Sequence, residues 1–463
     1  MTEVQQLAAF TASRTFDHLS EHALRELKIR LLDSLGCAIG ALEGPPIRRI
    51  RTHLDDFGGR PLSTLIGGGQ TSPDRAALYN SALVRYLDFN DSYLAKGETC
   101  HPSDNIGSVL AAGEYRGIDG RAFLTALGIA YHVHCRLSDV APVRHRGFDH
   151  TVQGAYGCAA GVAYALGLSP EKTAHAIAIA GTAYNALRVT RTGRLSNWKG
   201  LAFPSTGWTS THSAFLALRG ITGPEEVFEG NKGFKDSIAG DFAIDWSQEG
   251  LDRVTHTILK KYNAEIHSQA TLEGLIELRE AHDVDPAAIE KIVLNTFDVA
   301  FHIIGGGEEG GKKNIRTKEE ADHSLPYMMA AALLDGHVLP AQYEQDRILR
   351  YDIQTLLRKV EVHENPAYSD RFPQQEACDI TIHFANGETL TKEKVDYEGF
   401  HTRPASWAFV SAKFRALAEP FAEPGQLDEI IDVVRNFELH TVEDLVGLLS
   451  RINPVSSKTL SLA

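Results

Sequence analysis

Cysteine is scarce in this chain of 463 residues: there are five, scattered at Cys37, Cys100, Cys135, Cys158 and Cys378. They are odd in number and form no CxxC pair, which speaks against a disulfide framework and against a cysteine-ligated cluster. Long hydrophobic runs are missing as well, and none reaches the length a bilayer requires, so no membrane span is expected. The opening residues, MTEVQQLAAFTASRTFDHLS, lack a basic start followed by an apolar core and include acids. That is unlike a secretory signal or an organelle transit peptide. Positive charge is in deficit, with Lys+Arg 46 against Asp+Glu 60 and a formal net charge of −14. Proteins that neutralise phosphate backbones carry the opposite sign, so nucleic acid is disfavoured as a partner. What remains is an ordinary globular composition, 43% hydrophobic and 23% charged, in a chain long enough for two or three domains. A soluble, cytoplasmic protein is the expectation.

Hydrophobic spacing divides the chain. From residue 20 to about 220 the period is helical, which predicts helices over 22–42, 76–94, 105–116, 120–138, 151–166, 170–187 and 208–219. The stretch GAYGCAAGVAYALG (154–167) is apolar or small nearly all round, as in a helix buried on every side. After about 285 the period changes. Ile289–Phe297 and Lys359–His363 read as strands, and 378–399 as a hairpin turning at Asn386-Gly387. Segments 324–335 and 341–356 are helical between them, and helical spacing returns from about 404. The expected fold is mainly α: a large all-helical domain over 1–265, completed by 401–463, and a smaller α+β domain over 266–400.

Chemistry-bearing residues gather in LDFNDSYLAKGETCHPSDNIG (87–107), which holds Asp88, Asp91, Ser92, Lys96 and His101 between apolar flanks. Pro102 disfavours the helical region for His101, and Ser103 suits the N-cap of a helix running through Gly107 to Tyr115. His101 would then project beside a helix N-terminus, where free amides attract an anion. On a helix, Asp88 and Ser92 would share one face. The plainer alternative is a capped junction with a solvated acid face.

A second concentration, Arg188, Arg191, Arg194 and Lys199, carries four cations and no acid, which suits a small anionic substrate. The neighbours Trp198 and Leu201–Pro204 predict that Lys199 is partly buried, and a desolvated lysine must find an anion or lose its charge. His132 and His134 are spaced i, i+2 and point to different helix faces, so with Cys135, His145 and His150 they predict no metal site. His150, at the start of the small-residue helix, reads instead as a cleft residue. Gly306–Lys313 approaches a phosphate loop, but Lys313 replaces the magnesium-holding hydroxyl and no apolar helix follows, so no nucleotide is expected.

Taken in order, LDFNDSYLAKGETCHPSDNIGSVLAA, GFDHTVQGAYGCAAG, LSNWKGLAFPS, KYNAEIHSQA and DHSLPY resemble the MmgE/PrpD family of 2-methylcitrate dehydratases, cis-aconitate decarboxylases and iminodisuccinate epimerases. The likeness runs from about residue 20 to 430. Cys100 stands where the family pattern has threonine, and FPSTGWTSTHS replaces an alanine- and asparagine-rich run. The resemblance implies a helical domain with an α+β lid and active-site positions at Asp88, Ser92, His101, His150, Lys199 and Tyr327. It implies no cofactor, and a homodimer formed through the helical domain. Asp88, His101, His150, Lys199 and Tyr327 are then the catalytic candidates, and Ser92, Asp91, Lys96, Ser103 and Arg191 the substrate-binding ones. His101, His150 and Lys199 are expected to line one cleft between the two domains. The implied reaction is dehydration of 2-methylcitrate or a related tricarboxylate; decarboxylation of cis-aconitate or epimerisation of an imino-dicarboxylate would reuse the same groups. A non-catalytic metabolite-binding protein would leave three separate reactive groups unexplained.

Overall fold

The computed structural model describes residues 1–453. The chain is mainly α and divides into two compact units. Unit 1 holds Met1–Arg188, Gly200–Thr257 and the segment from Ser406 onward; unit 2 holds Val189–Lys199 and Ile258–Ala405. Among the described residues no helix is long and apolar enough to cross a membrane.

Unit 1 is built on α1 (Glu3–Ser13), α2 (Glu21–Gly40), α3 (Pro45–Phe57), α4 (Pro73–Tyr86), α5 (Ile106–Arg116), α6 (Gly120–Val140), α7 (Thr151–Ala165) and α8 (Pro170–Ala183). Local chemistry starts several of them. Ser20 caps α2 by accepting from the Ala23 amide, and Asp119 caps α6 by accepting from Ala122. Nearly every residue of α7 is buried, as its all-round small and apolar surface predicts. Glycine is what lets α6 and α7 touch: a Cβ on Gly157 would lie 2.8 Å from the Ala130 carbonyl oxygen. The late helix Trp407–Ala418 packs on α2, where the buried Lys413 ammonium reaches Asp33 at 2.8 Å.

Two helix boundaries differ from expectation. The helix predicted over 76–94 stops at Tyr86, and the chain continues as a short hairpin of β1 (Tyr93–Ala95) and β2 (Glu98–Cys100). The helix predicted from 208 begins ten residues earlier, as α9 (Trp198–Leu218), and runs through Pro204. Pro204 and the nearby glycines read locally as breaks, yet Ala202 and Phe203 are fully buried there, so packing overrides propensity.

Unit 2 carries a four-stranded sheet of β3 (Ile289–Thr296), β4 (Val360–Glu364), β5 (Cys378–Phe384) and β6 (Thr389–Lys394), in the order β4-β3-β5-β6. The first pair is parallel and the others antiparallel. Gly387 takes φ 87° in the β5–β6 turn, a conformation glycine adopts without strain. Helix α10 (Gln269–His282) lies on β5 and β6, and α11 (Leu325–Asp335) packs against α10. The helix expected over 341–356 is broken into Gln345–Ile348 and Tyr351–Leu356.

Candidate active site

Because α4 ends at Tyr86, Asp88 and Ser92 do not share a helix face. Asp88 instead sits in a left-handed conformation, φ 56°, and its carboxylate pairs with the buried guanidinium of Arg85. His101 follows β2 with φ −124° and ψ 85°, outside the helical region that Pro102 disfavours. Ser103 is not a helix cap. It lies inside a 3-10 turn, Pro102–Asn105, ahead of α5, and its side chain is drawn elsewhere: the hydroxyl donates to Asp91 Oδ1 at 2.6 Å and the amide to the same oxygen at 3.1 Å. Tyr131, from α6, donates to Asp91 Oδ2 at 2.8 Å. Asn90 donates to Ser103 Oγ at 2.8 Å and to Asp104 Oδ1 at 2.9 Å.

Asp91 and Ser103, expected to bind substrate, are both fully buried and engaged with each other. They fasten the 88–93 loop to the turn that carries His101. Burial raises the Asp91 pKa, while the Ser103 hydroxyl, Arg30 and Tyr131 oppose the rise. Lys96 is exposed in the tip of the β1–β2 hairpin, and no hydrogen bond or ion pair ties it to this group among the described residues. Cys100 is buried with Cys135, Tyr93 and Ala95 in one apolar cluster.

His101 is held through one ring nitrogen. Nδ1 lies 2.8 Å from the Asp91 carbonyl oxygen and 3.1 Å from Ser92 Oγ. A carbonyl only accepts, so Nδ1 carries the proton, and Nε2 is the atom of the neutral ring able to take one up. The His150 ring centroid stands 5.3 Å from that of His101, edge to face, and His134 is stacked 6.3 Å from His150. His150 immediately precedes α7, with its Nε2 3.7 Å from Asp149. The His101 and His150 side chains are both buried. Unit 1 therefore brings Ser92, His101 and His150 together, with Asp91 and Ser103 holding the turn that carries His101; Asp88 is paired with Arg85.

In unit 2, Lys199 lies in the first turn of α9 and is 3% exposed. Its ammonium meets Asp322 Oδ1 at 2.7 Å and His323 Nδ1 at 2.8 Å. Lys318 takes the other Asp322 oxygen at 2.8 Å. Burial alone would raise the Asp322 pKa; Lys199, Lys318 and His323 together hold it far below the carboxylate range. The desolvated lysine has found its anion. Arg191 is buried in the 3-10 turn Arg188–Arg191. Tyr327, expected among the acid–base groups, is fully buried in α11, and its hydroxyl donates to the Gln342 carbonyl.

Sequence reasoning passed over Asp322, His323 and Arg85. The first two stand inside the quoted DHSLPY block, where an acid and an imidazole precede the Ser324 cap of α11. Arg85, three residues before Asp88, was legible as an i, i+3 ion pair only if the acid lay at the helix end. Asn90 and Tyr131 left no signal, since a buried polar network is set by tertiary contact.

The MmgE/PrpD N-terminal domain matches residues 5–247, and the MmgE/PrpD C-terminal domain residues 262–439. A 2-methylcitrate dehydratase of Salmonella typhi is 29% identical over 404 residues, covering 81% of either chain. The 2-methylcitrate dehydratase of Escherichia coli (strain K12) gives the same identity and coverage. The cis-aconitate decarboxylase of Mus musculus is 25% identical over 452 residues, covering 91% of this chain and 88% of its own.

Proposed function

Because the chain belongs to the MmgE/PrpD family, we propose that it is a lyase of the hydro-lyase type, removing water from 2-methylcitrate or a closely related tricarboxylate without a cofactor. The observation that carries the reading is the buried imidazole pair: His101 and His150 stand 5.3 Å apart, and His101 has its tautomer set by the Asp91 carbonyl. Dehydration beside a carboxylate needs two proton movements. A base takes the proton from the carbon next to the carboxylate, leaving a doubly charged aci-carboxylate. An acid then protonates the departing hydroxide on the neighbouring carbon. His101 Nε2, His150 and Asp88 are the groups assigned to these transfers. Lys199 and Arg191 supply positive charge for the aci-carboxylate, and Ser92, within hydrogen-bond reach of His101, contacts substrate. Tyr327, already donating to Gln342, serves α11 rather than the proton transfers. The α+β unit, 266–400, is proposed to act as the lid of the helical domain formed by 1–265 and 401–463.

The test is turnover of 2-methylcitrate, followed by ultraviolet absorbance of the conjugated product, with and without a chelator. General acid–base groups contribute roughly 10²–10⁴-fold in rate. His101→Ala is expected to lower kcat by about that factor while melting with the wild type. His145→Ala, in an exposed turn, should stay within about threefold, as surface substitutions usually do. Equal, modest losses from both substitutions would remove His101 from the mechanism. Activity should survive the chelator, and loss of turnover restored by one divalent ion would overturn the cofactor-free reading. Decarboxylation of cis-aconitate and epimerisation of an imino-dicarboxylate use the same proton-moving groups; product mass separates them from dehydration.

A further inference from the structure

Unit 2 contains a cavity of about 550 Å³ whose charged lining comes from Arg194, Glu309, Lys312, Arg316 and Glu320. Lys312 is the unusual member. It is 8% exposed, yet among the described residues its ammonium makes no hydrogen bond and no ion pair. The charged groups facing it are Glu309, Glu265 and Asp322, with Lys199 opposing them; burial outweighs these and holds its pKa below the usual lysine value. Two of the acids in and around the cavity are committed elsewhere. Asp322 is taken by Lys199 and Lys318. Glu320 closes a capping box, accepting from the Arg316 and Thr317 amides at 2.9 and 3.1 Å. Arg194 and Arg316 add two exposed guanidiniums that form no ion pair among the described residues. A desolvated ammonium costs free energy unless an anion meets it, and among the described residues no carboxylate, Glu309 included, forms an ion pair with it.

We propose that this cavity is an anion-binding subsite, formed by Lys312 with Arg194 and Arg316, that takes carboxylate groups of a small polycarboxylic acid. The preference for carboxylates rests on the dehydratase reading; the positive character of the cavity does not. A volume of this size is ordinary for a small-molecule site. Guanidiniums at the rim suit the bidentate geometry of a carboxylate, and the largely buried Lys312 side chain provides the charge with the most to gain from ligand.

Tricarballylate is a suitable probe, since it has three carboxylates and no hydroxyl to lose, so its binding is read without turnover. By isothermal titration calorimetry the wild type should bind it, and more weakly as salt is raised. Lys312→Met should weaken binding by about tenfold or more, Lys312→Arg should recover most of it, and Lys312→Met should melt at or above the wild-type temperature because it removes a buried charge that the fold does not pair. Equal binding by wild type and Lys312→Met, no binding by the wild type, or inorganic phosphate bound as tightly as tricarballylate would each overturn the proposal. Should Lys312→Met fail to fold, Arg316→Gln on the exposed rim carries the test: several-fold weaker binding supports the subsite and unchanged binding refutes it. The two readings fail separately. Lys312-dependent binding of tricarballylate with no turnover of 2-methylcitrate keeps the subsite and removes the dehydratase. Turnover together with binding indifferent to Lys312 does the reverse.

Discussion

Glu376 shows how far burial can be left uncompensated at a single residue. It is fully buried in unit 2, and neither carboxylate oxygen has a hydrogen bond of normal geometry among the described residues. Burial, and then the charge of Glu265, push its pKa well above the ordinary 4.5, with the Ala270 amide only partly opposing them. This is the reverse of Asp322, whose lysines keep it ionised. Since the folded pKa is raised, the acid's contribution to stability is fully present below its unfolded pKa of about 4.5. It is lost as pH climbs through the raised folded value. Glutamine mimics the protonated acid and does not titrate. Glu376→Gln should therefore melt with the wild type near pH 4.5 and about 2 °C or more above it at pH 8. Thermal melts at the two pH values check this, and a variant less stable at pH 8 would show that the ionised acid has an anchoring role.

At the scale of elements, the α6–α7 contact explains the composition of α7. Two of its glycines lie where a methyl group would strike α6: on Gly157 it would meet the Ala130 carbonyl, and on Gly161 it would sit 2.7 Å from the Ala130 Cβ. Adding carbon to a filled contact of this kind typically costs about 1–3 kcal/mol. Gly157→Ala should be destabilised by about that amount in a denaturation curve, although alanine has the better helix propensity. A rise in stability would mean that the two helices can move apart freely. The same contact helps place the site, because α7 starts directly after His150, and α6 carries Tyr131 to Asp91 and His134 to His150.

For the whole molecule, the late helix Trp407–Ala418 returns to pack on α2, so unit 1 is assembled from segments far apart in sequence. The prevalence of two-fold assemblies among soluble proteins supports the proposal of a homodimer through the helical unit. Light scattering at micromolar concentration should return twice the monomer mass, and the monomer mass alone would refute it.

Periodicity and punctuation determined much by themselves. The helices around 22–42, 105–116 and 151–166, the β5–β6 hairpin at Asn386-Gly387 and the non-helical His101 before Pro102 all follow from interactions within a few residues, which any local reading captures. Lys199 was legible as a buried cation in search of an anion for the same reason, through its apolar neighbours. What only the tertiary structure decided was the identity of partners. Asp322 for Lys199, Tyr131 for Asp91, the halt of α4 at Tyr86 and the passage of α9 through Pro204 depend on residues tens to more than a hundred positions away. Buried charges and hydrogen bonds are satisfied by whatever the fold brings within about 3 Å, and one-dimensional spacing carries no record of that distance.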